Sequence, residues 1–204
     1  MQLQLGVTKP TTYLFFDTET TGLPLNNQWS APVTDLRVWP RMVQLAWEFY
    51  KGETLVSSGD YIINPEGFII PIDSSNIHGI TMERAQKEGR PLSAVLKEFE
   101  SLVAQSDFLV AHNISFDEKV VGAELLRSRM KNVLEGKKLI CTKEVATDFC
   151  AIPNSNGYKS FKWPKLSELH IKLFGEDFLD AHNASSDVRV TAKCFFALKK
   201  LGVV

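Results

Sequence analysis

Asp17-Thr18-Glu19 sets two carboxylates two residues apart at the end of a short apolar, β-prone run, Thr12-Tyr13-Leu14-Phe15-Phe16. In a strand, the side-chain period of two sends both acids to the face that carries Tyr13 and Phe15. Two carboxylates on one face beside an apolar strand repel each other unless a cation neutralises them, and hard divalent ions such as Mg²⁺ or Mn²⁺ take oxygen ligands. For a lone D-x-E the plainer alternative is a solvated strand-end pair. Asp117 heads a helical stripe through Val121 and Leu125, so the acid falls on a core-facing side. Asp187 repeats the pattern ahead of Val190, Thr191, Cys194, Leu198 and Leu201. Each of these acids alone is also explained by the favourable field of a helix N-terminus. His182 stands five residues before Asp187, in Asp180-Ala181-His182-Asn183-Ala184-Ser185. An imidazole that titrates near neutrality suits a general base or a metal ligand, although a lone histidine is more often structural.

The elements that must position these groups follow from periodicity. The run at 12–16 reads as a buried central strand that delivers Asp17 at its end. Residues 42–50 alternate Val43, Leu45, Trp47 and Phe49 with Gln44, Ala46 and Glu48. After Lys51-Gly52-Glu53 a second β-rich run covers 54–63, and together they predict an antiparallel hairpin. Residues 91–104 predict an amphipathic helix with Leu92, Val95, Leu96, Phe99, Leu102 and Val103 on one side. A strand at 107–111, a helix at 115–130, a short strand near 139–141 and helices at 165–174 and 185–201 complete the order β-β-β-α-β-α-β-α-α. A hairpin followed by β-α alternation argues for a mixed sheet with helices packed on it, in the α/β or α+β classes. Two irregular stretches, 24–40 with Trp29, Trp39 and three prolines, and 149–164, rich in Asn, Ser, Gly and aromatics, are candidate functional loops.

With 204 residues, 44% of them hydrophobic, the chain predicts one domain over 1–204, with 24–40 as a loop insertion. A net charge of −1 excludes a global basic field for holding long nucleic acid, so any such contact must be local. Three cysteines, Cys141, Cys150 and Cys194, form no C-x-x-C pair and read as free thiols of a reducing compartment. Met1 to Pro10 lacks a charged start followed by an apolar run, and no stretch is long enough to span a bilayer. The expected location is the cytoplasm, without a membrane partner.

Three segments, Phe16-Asp17-Thr18-Glu19-Thr20-Thr21-Gly22, His112-Asn113-Ile114-Ser115-Phe116-Asp117 and His182-Asn183-Ala184-Ser185-Ser186-Asp187, resemble in order and type the three motifs of the DEDDh (DnaQ-like) 3′→5′ exonucleases. That family includes the proofreading ε subunit of bacterial DNA polymerase III, ribonuclease T and oligoribonuclease. The resemblance implies an α/β, ribonuclease H-like fold, a central mixed five-stranded sheet flanked by helices. It implies that Asp17, Glu19, Asp117 and Asp187 hold two Mg²⁺ or Mn²⁺ ions, with His182 as general base, and that nucleoside 5′-monophosphates leave from a free 3′ end. It carries substrate contact to Thr20, Gly22 and Leu23 after the acids, to His78 and Ile80 of Ile77-His78-Gly79-Ile80-Thr81, and to Asn113 and Phe116. In the same segment Thr81 also reads as the N-cap of a helix with Arg84 in its first turn. His112 and His170 read as structural.

The expected substrate is a single-stranded or frayed 3′ end of DNA, in proofreading or repair, with a DNA polymerase as a partner. Two alternatives stay open: trimming of RNA 3′ ends in the manner of ribonuclease T or oligoribonuclease, and a catalytically inactive polymerase-accessory or nucleic-acid-binding module. Tyr158-Lys159-Ser160-Phe161-Lys162-Trp163-Pro164-Lys165 interleaves three lysines with three aromatics, a pattern that tracks phosphates and stacks bases, or that anchors a helix start. Gln2-Leu3-Gln4-Leu5 is faintly similar to a sliding-clamp-binding peptide, with Gly6 where an aromatic belongs. No long heptad pattern signals an oligomer.

Overall fold

The structure, a computed structural model, describes residues 9–154, 160–178 and 183–204. His182, Tyr158, Lys159 and the clamp-like Gln2-Leu3-Gln4-Leu5 lie outside the described residues. Strand β1 (Thr12–Thr20) runs through the centre of a five-stranded sheet. It pairs antiparallel with β2 (Met42–Lys51), which turns at Gly52 into antiparallel β3 (Thr54–Ile62). On its other side lie β4 (Phe108–Ala111) and β5 (Lys138–Cys141), both parallel, giving the order β3-β2-β1-β4-β5. The mixed sheet expected from the resemblance is therefore present.

The connections hold α1 (Ile72–His78), α2 (Met82–Glu88), α3 (Leu92–Gln105) and α4 (Ile114–Arg127). Single turns α5 (Thr142–Val145) and α6 (Thr147–Cys150) follow β5, then α7 (Leu166–Phe174) and α8 (Ala184–Lys200). Thr81 caps α2, its side chain accepting from the Arg84 N–H at 3.1 Å. The one- and two-turn helices have no counterpart in the periodicity reading, because so few residues do not repeat a stripe.

The two faces of β1 meet different layers. Leu14 and Phe16 bury into a core with Phe99 of α3 and with Ile114, Val120, Val121 and Leu125 of α4. Tyr13 and Phe15 face Ala184, Val188, Ala192 and Phe195 of α8. Burying such aromatic side chains contributes roughly 1.5–3 kcal/mol each, which fixes α8 across the sheet. Because α8 covers this face, the polar positions Gln44 and Glu48 of β2 are buried rather than solvated, at 4% and 8% exposure. The apolar stripe of α8 ends at Leu198; Leu201 lies past the helix and is exposed, contrary to its expected place in the stripe.

The 24–40 insertion is packed onto the fold. Val38 and Trp39 enter the main core, and the Trp39 indole N–H donates to the Pro32 carbonyl at 3.1 Å. Arg127 of α4 donates to the carbonyls of Leu36, Trp39 and Pro40, while Glu124 accepts from Arg127 and from Arg41 at 2.9 and 2.8 Å. Gly122 of α4 lies so close to the loop that a Cβ there would sit 2.8 Å from the Val33 methyl. All three cysteines are buried and free. Among the described residues, no helix is long and apolar enough to cross a membrane.

Candidate active site

The acids gather where β1 and β4 end in the same direction, the carboxyl edge at which open α/β sheets place their ligands. Asp17 and Glu19 project from β1 on the face shared with Tyr13 and Phe15. Asp187 projects from the first turn of α8, which lies on that face. Carboxylate oxygens of Asp17, Glu19 and Asp187 lie within 4.8 Å of one another, close enough to share a cation. Asp117 comes from the first turn of α4, on the opposite face of the sheet. Its Oδ1 accepts from the Thr18 N–H at 3.0 Å and the Thr18 hydroxyl at 2.7 Å. Thr18 thus ties the buried Asp117 to the strand between Asp17 and Glu19, a role that the sequence reading did not give it.

Electrostatics agree with this convergence. Burial, then the charges of Asp117, Asp187 and Glu19, hold the Asp17 carboxyl well above its ordinary range. Burial and the charges of Asp187 and Asp117 push Glu19 up to about 8. Burial lifts Asp117 to about 7, against the lowering effect of its Thr18 hydrogen bonds. Carboxyls whose ionisation is opposed by burial and by one another's charge give up their protons most readily to a cation bound among them. The donor set, all carboxylate oxygen, fits a hard divalent ion.

α8 is also tied to β2. Gln44, opposite Glu19 in the β1–β2 register, accepts from the Ala184 N–H at 3.4 Å and donates to Asp60 at 2.6 Å. This buried glutamine sets the start of the helix three residues before Asp187, and only the tertiary packing reveals it. Asn183 caps the same helix by accepting from the Ser185 N–H at 3.1 Å.

Next to Glu19 opens a cavity of about 200 Å³ lined by Thr18, Glu19, Thr20, Gly22, Leu23, Ser74, Ile77, His78 and Phe116. Five of the seven expected contact residues, Thr20, Gly22, Leu23, His78 and Phe116, are brought together here. Gly22, at φ 143°, lets the chain turn away from β1 while the Thr20 hydroxyl donates to its carbonyl at 2.7 Å. Leu23 is 63% exposed at the rim. His78 ends α1, and its Nδ1 accepts from the Ile80 N–H at 3.1 Å; burial pushes the imidazole below its ordinary value. Ile80 departs from the expected grouping. It is buried with Val43, Ile70 and Ala85 in a small core, and Ile77 lines the cavity in its stead.

Asn113, in the left-handed region at φ 81°, precedes α4, and its Oδ1 accepts from the Lys143 ammonium. It lines a neighbouring cavity with Trp29 and Trp163. His112 is held between the Thr142 hydroxyl at 3.0 Å and the Pro164 carbonyl at 3.1 Å, and burial pushes it down to about 4. His170 Nδ1 bonds the Glu176 carbonyl at 2.8 Å and packs on Phe174 and Phe178. Both histidines are structural in position.

The chain belongs to the RNase T exonuclease family, whose model matches residues 14–195. Among its relatives, the PolC-type DNA polymerase III of Streptococcus pneumoniae is 32% identical over 190 residues, and that of Streptococcus sanguinis 30% identical over 189. Each alignment takes in 93% of this chain but only 11% of the polymerase. Among solved structures, E. coli exonuclease I as a zinc-bound complex with single-stranded DNA superposes with a TM-score of 0.72 at 20% identity. It covers 93% of this chain and 41% of that one. Exonuclease I with a dT13 oligonucleotide gives 0.71 at 22% identity, with the same coverage. These likenesses confirm a ribonuclease H-like fold.

Proposed function

We propose that this chain is a two-metal-ion 3′→5′ exonuclease of the DEDDh type that removes nucleoside 5′-monophosphates from the 3′ end of DNA. The observation that carries the reading is the convergence of Asp17, Glu19 and Asp187 within 4.8 Å, with Asp117 fastened beside them by Thr18. These four acids would hold two divalent ions, Mg²⁺ or Mn²⁺, which supply charge neutralisation at the phosphate and a nucleophilic water at neutral pH. The terminal nucleotide enters the cavity beside Glu19, between Leu23, His78 and Phe116. His182 takes the proton of the attacking water. The oxygen attacks the terminal phosphorus, the bond to the preceding 3′ oxygen breaks, and that oxygen takes a proton from solvent to leave as a free 3′-hydroxyl.

Kinship with part of the PolC-type DNA polymerases III favours DNA and a proofreading or repair setting, and single-stranded DNA in the exonuclease I structures favours an unpaired end. A DNA polymerase is the partner that this kinship suggests. The same chemistry acts on RNA, so the test is a side-by-side digestion of matched DNA and RNA oligonucleotides with free, blocked and duplexed 3′ ends. Faster release from the free, unpaired DNA end is expected; preference for RNA would move the assignment to 3′-end trimming.

A further inference from the structure

Two tryptophans are held at the surface beside the acid site with their rings open to solvent. Trp29, on the 24–40 insertion, is 45% exposed, and Trp163, just before α7, is 61% exposed. Both line one cavity of about 330 Å³, together with Asn113, Ser115, Lys143 and Glu144. Neither position is loose. The Trp29 carbonyl accepts from Lys119 of α4 at 2.9 Å, and its ring meets Phe116 with centroids 5.8 Å apart. The segment after Trp163 is fastened through the Pro164 carbonyl to the buried side of His112 at 3.1 Å. Lys143 spans the cavity, its ammonium 4.2 Å from the centre of the Trp163 ring while donating to Asn113. Leaving indoles in water forgoes their burial energy, and a pair fixed around an ammonium suits a ligand that offers flat rings and negative charge. Phe116 borders the cavity at Glu19 and also touches Trp29, so one aromatic contact links the walls of the two cavities.

We propose that Trp29, Trp163 and Lys143 form a stacking subsite for the single DNA strand that enters the active site, engaging the unpaired nucleotides upstream of the terminal one. This rests on the exonuclease reading above and adds what it lacks, a grip on the strand beyond the residue being removed. The indoles stack on bases and the Lys143 ammonium faces the phosphates, so capture requires several unpaired nucleotides but little particular sequence. A chain without a basic field needs such a local grip.

The test is titration of the full chain with (dT)8, and with an abasic strand of the same length, in Ca²⁺ buffer, read by intrinsic tryptophan fluorescence. Of the four tryptophans, Trp39 and Trp47 are buried, so quenching by contact reports on the other two. Expected are quenching by (dT)8 but not by the abasic strand, and a Kd raised roughly 5- to 150-fold by Trp163→Leu or Trp29→Leu. Trp163→Phe and Trp29→Phe, which keep an aromatic face, should recover most of the affinity, which a merely misfolded loop would not. Equal quenching by both strands, absence of binding, or Leu variants that bind like the parent would overturn the subsite. Hydrolysis of the same strand in Mg²⁺ is read in parallel. Hydrolysis by the parent with unaffected Leu variants removes the subsite alone; quenching and weakened Leu variants without hydrolysis uphold the subsite and remove the exonuclease reading.

Discussion

Replacing Asp17 with Asn should stabilise the metal-free protein in alkali while sharply reducing its response to metal. Two unit charges 4.8 Å apart, the outer limit for oxygens of Asp17, Glu19 and Asp187, repel by about 3.5 kcal/mol at an effective dielectric of 20. The three carboxylates are only partly buried, so solvent reduces the net destabilisation to about 1–3 kcal/mol. The sign follows from proton linkage. Glu19 holds its proton up to about pH 8 in the folded state against an ordinary value of 4.5, and Asp17 is raised likewise, so the folded chain binds more protons than the unfolded one across that window. Stability therefore falls as pH rises through it. In EDTA the Tm of the parent chain should drop by roughly 2–12 °C between pH 6 and pH 8.5, at about 2–4 °C per kcal/mol for a domain of this size. Asp17→Asn removes one ionising group, so its curve should be flatter and its Tm higher than the parent's at pH 8.5. Added Mg²⁺ or Mn²⁺ should raise the parent's Tm most at the higher pH, and the variant's little. Differential scanning fluorimetry over a pH series reads all four conditions. A parent Tm that is flat or rises with pH in EDTA, or a variant that keeps the full metal response, would refute this account of the cluster.

Thr18→Val deletes the 2.7 Å hydroxyl contact to Asp117, should destabilise the fold by about 1–3 kcal/mol in urea, and should move the acid limb of the pH–rate profile upward as Asp117 loses a bond that lowers its pKa. Glu124→Ala strands Arg41 and Arg127 beneath the 24–40 insertion; a loss of about 3–5 kcal/mol by chemical denaturation is expected, and a loss under 1 kcal/mol would show that the pair does not hold the loop. His182→Ala should lower kcat by about 10²–10⁴-fold with the metal-induced Tm shift retained, because a base is removed and no carboxylate is; normal turnover would assign the base elsewhere.

The strands and the longer helices were legible because buried apolar runs and 3.6-residue stripes persist over many residues. The short helices carry no such repeat; of them only α2 was signalled, by its Thr81 cap, and the others emerge from the folded chain. Asp17 and Glu19 announced themselves by spacing, and Asp117 and Asp187 by standing on apolar stripes, so the acids of the site were readable before their geometry was. Their supports were not. Thr18 meets Asp117 from 99 positions away, and Gln44 looks like the wet side of a hairpin until α8 is laid over it. Ile80, expected beside the substrate, is buried in a small core, while Ile77 lines the cavity. Which of two nearby isoleucines faces the cavity depends on how α1 ends at Gly79, in the left-handed region at φ 72°.

The most direct test of the central claim follows a 5′-labelled single-stranded DNA incubated with metal-stripped protein, before and after readdition of Mg²⁺ or Mn²⁺. The account predicts no cleavage in EDTA and, with metal, a ladder shortening one nucleotide at a time from a free 3′ end, with 5′-monophosphates released and Asp17→Ala inactive. Undiminished cleavage in excess EDTA, or release of the label as a mononucleotide from the intact strand, would contradict it.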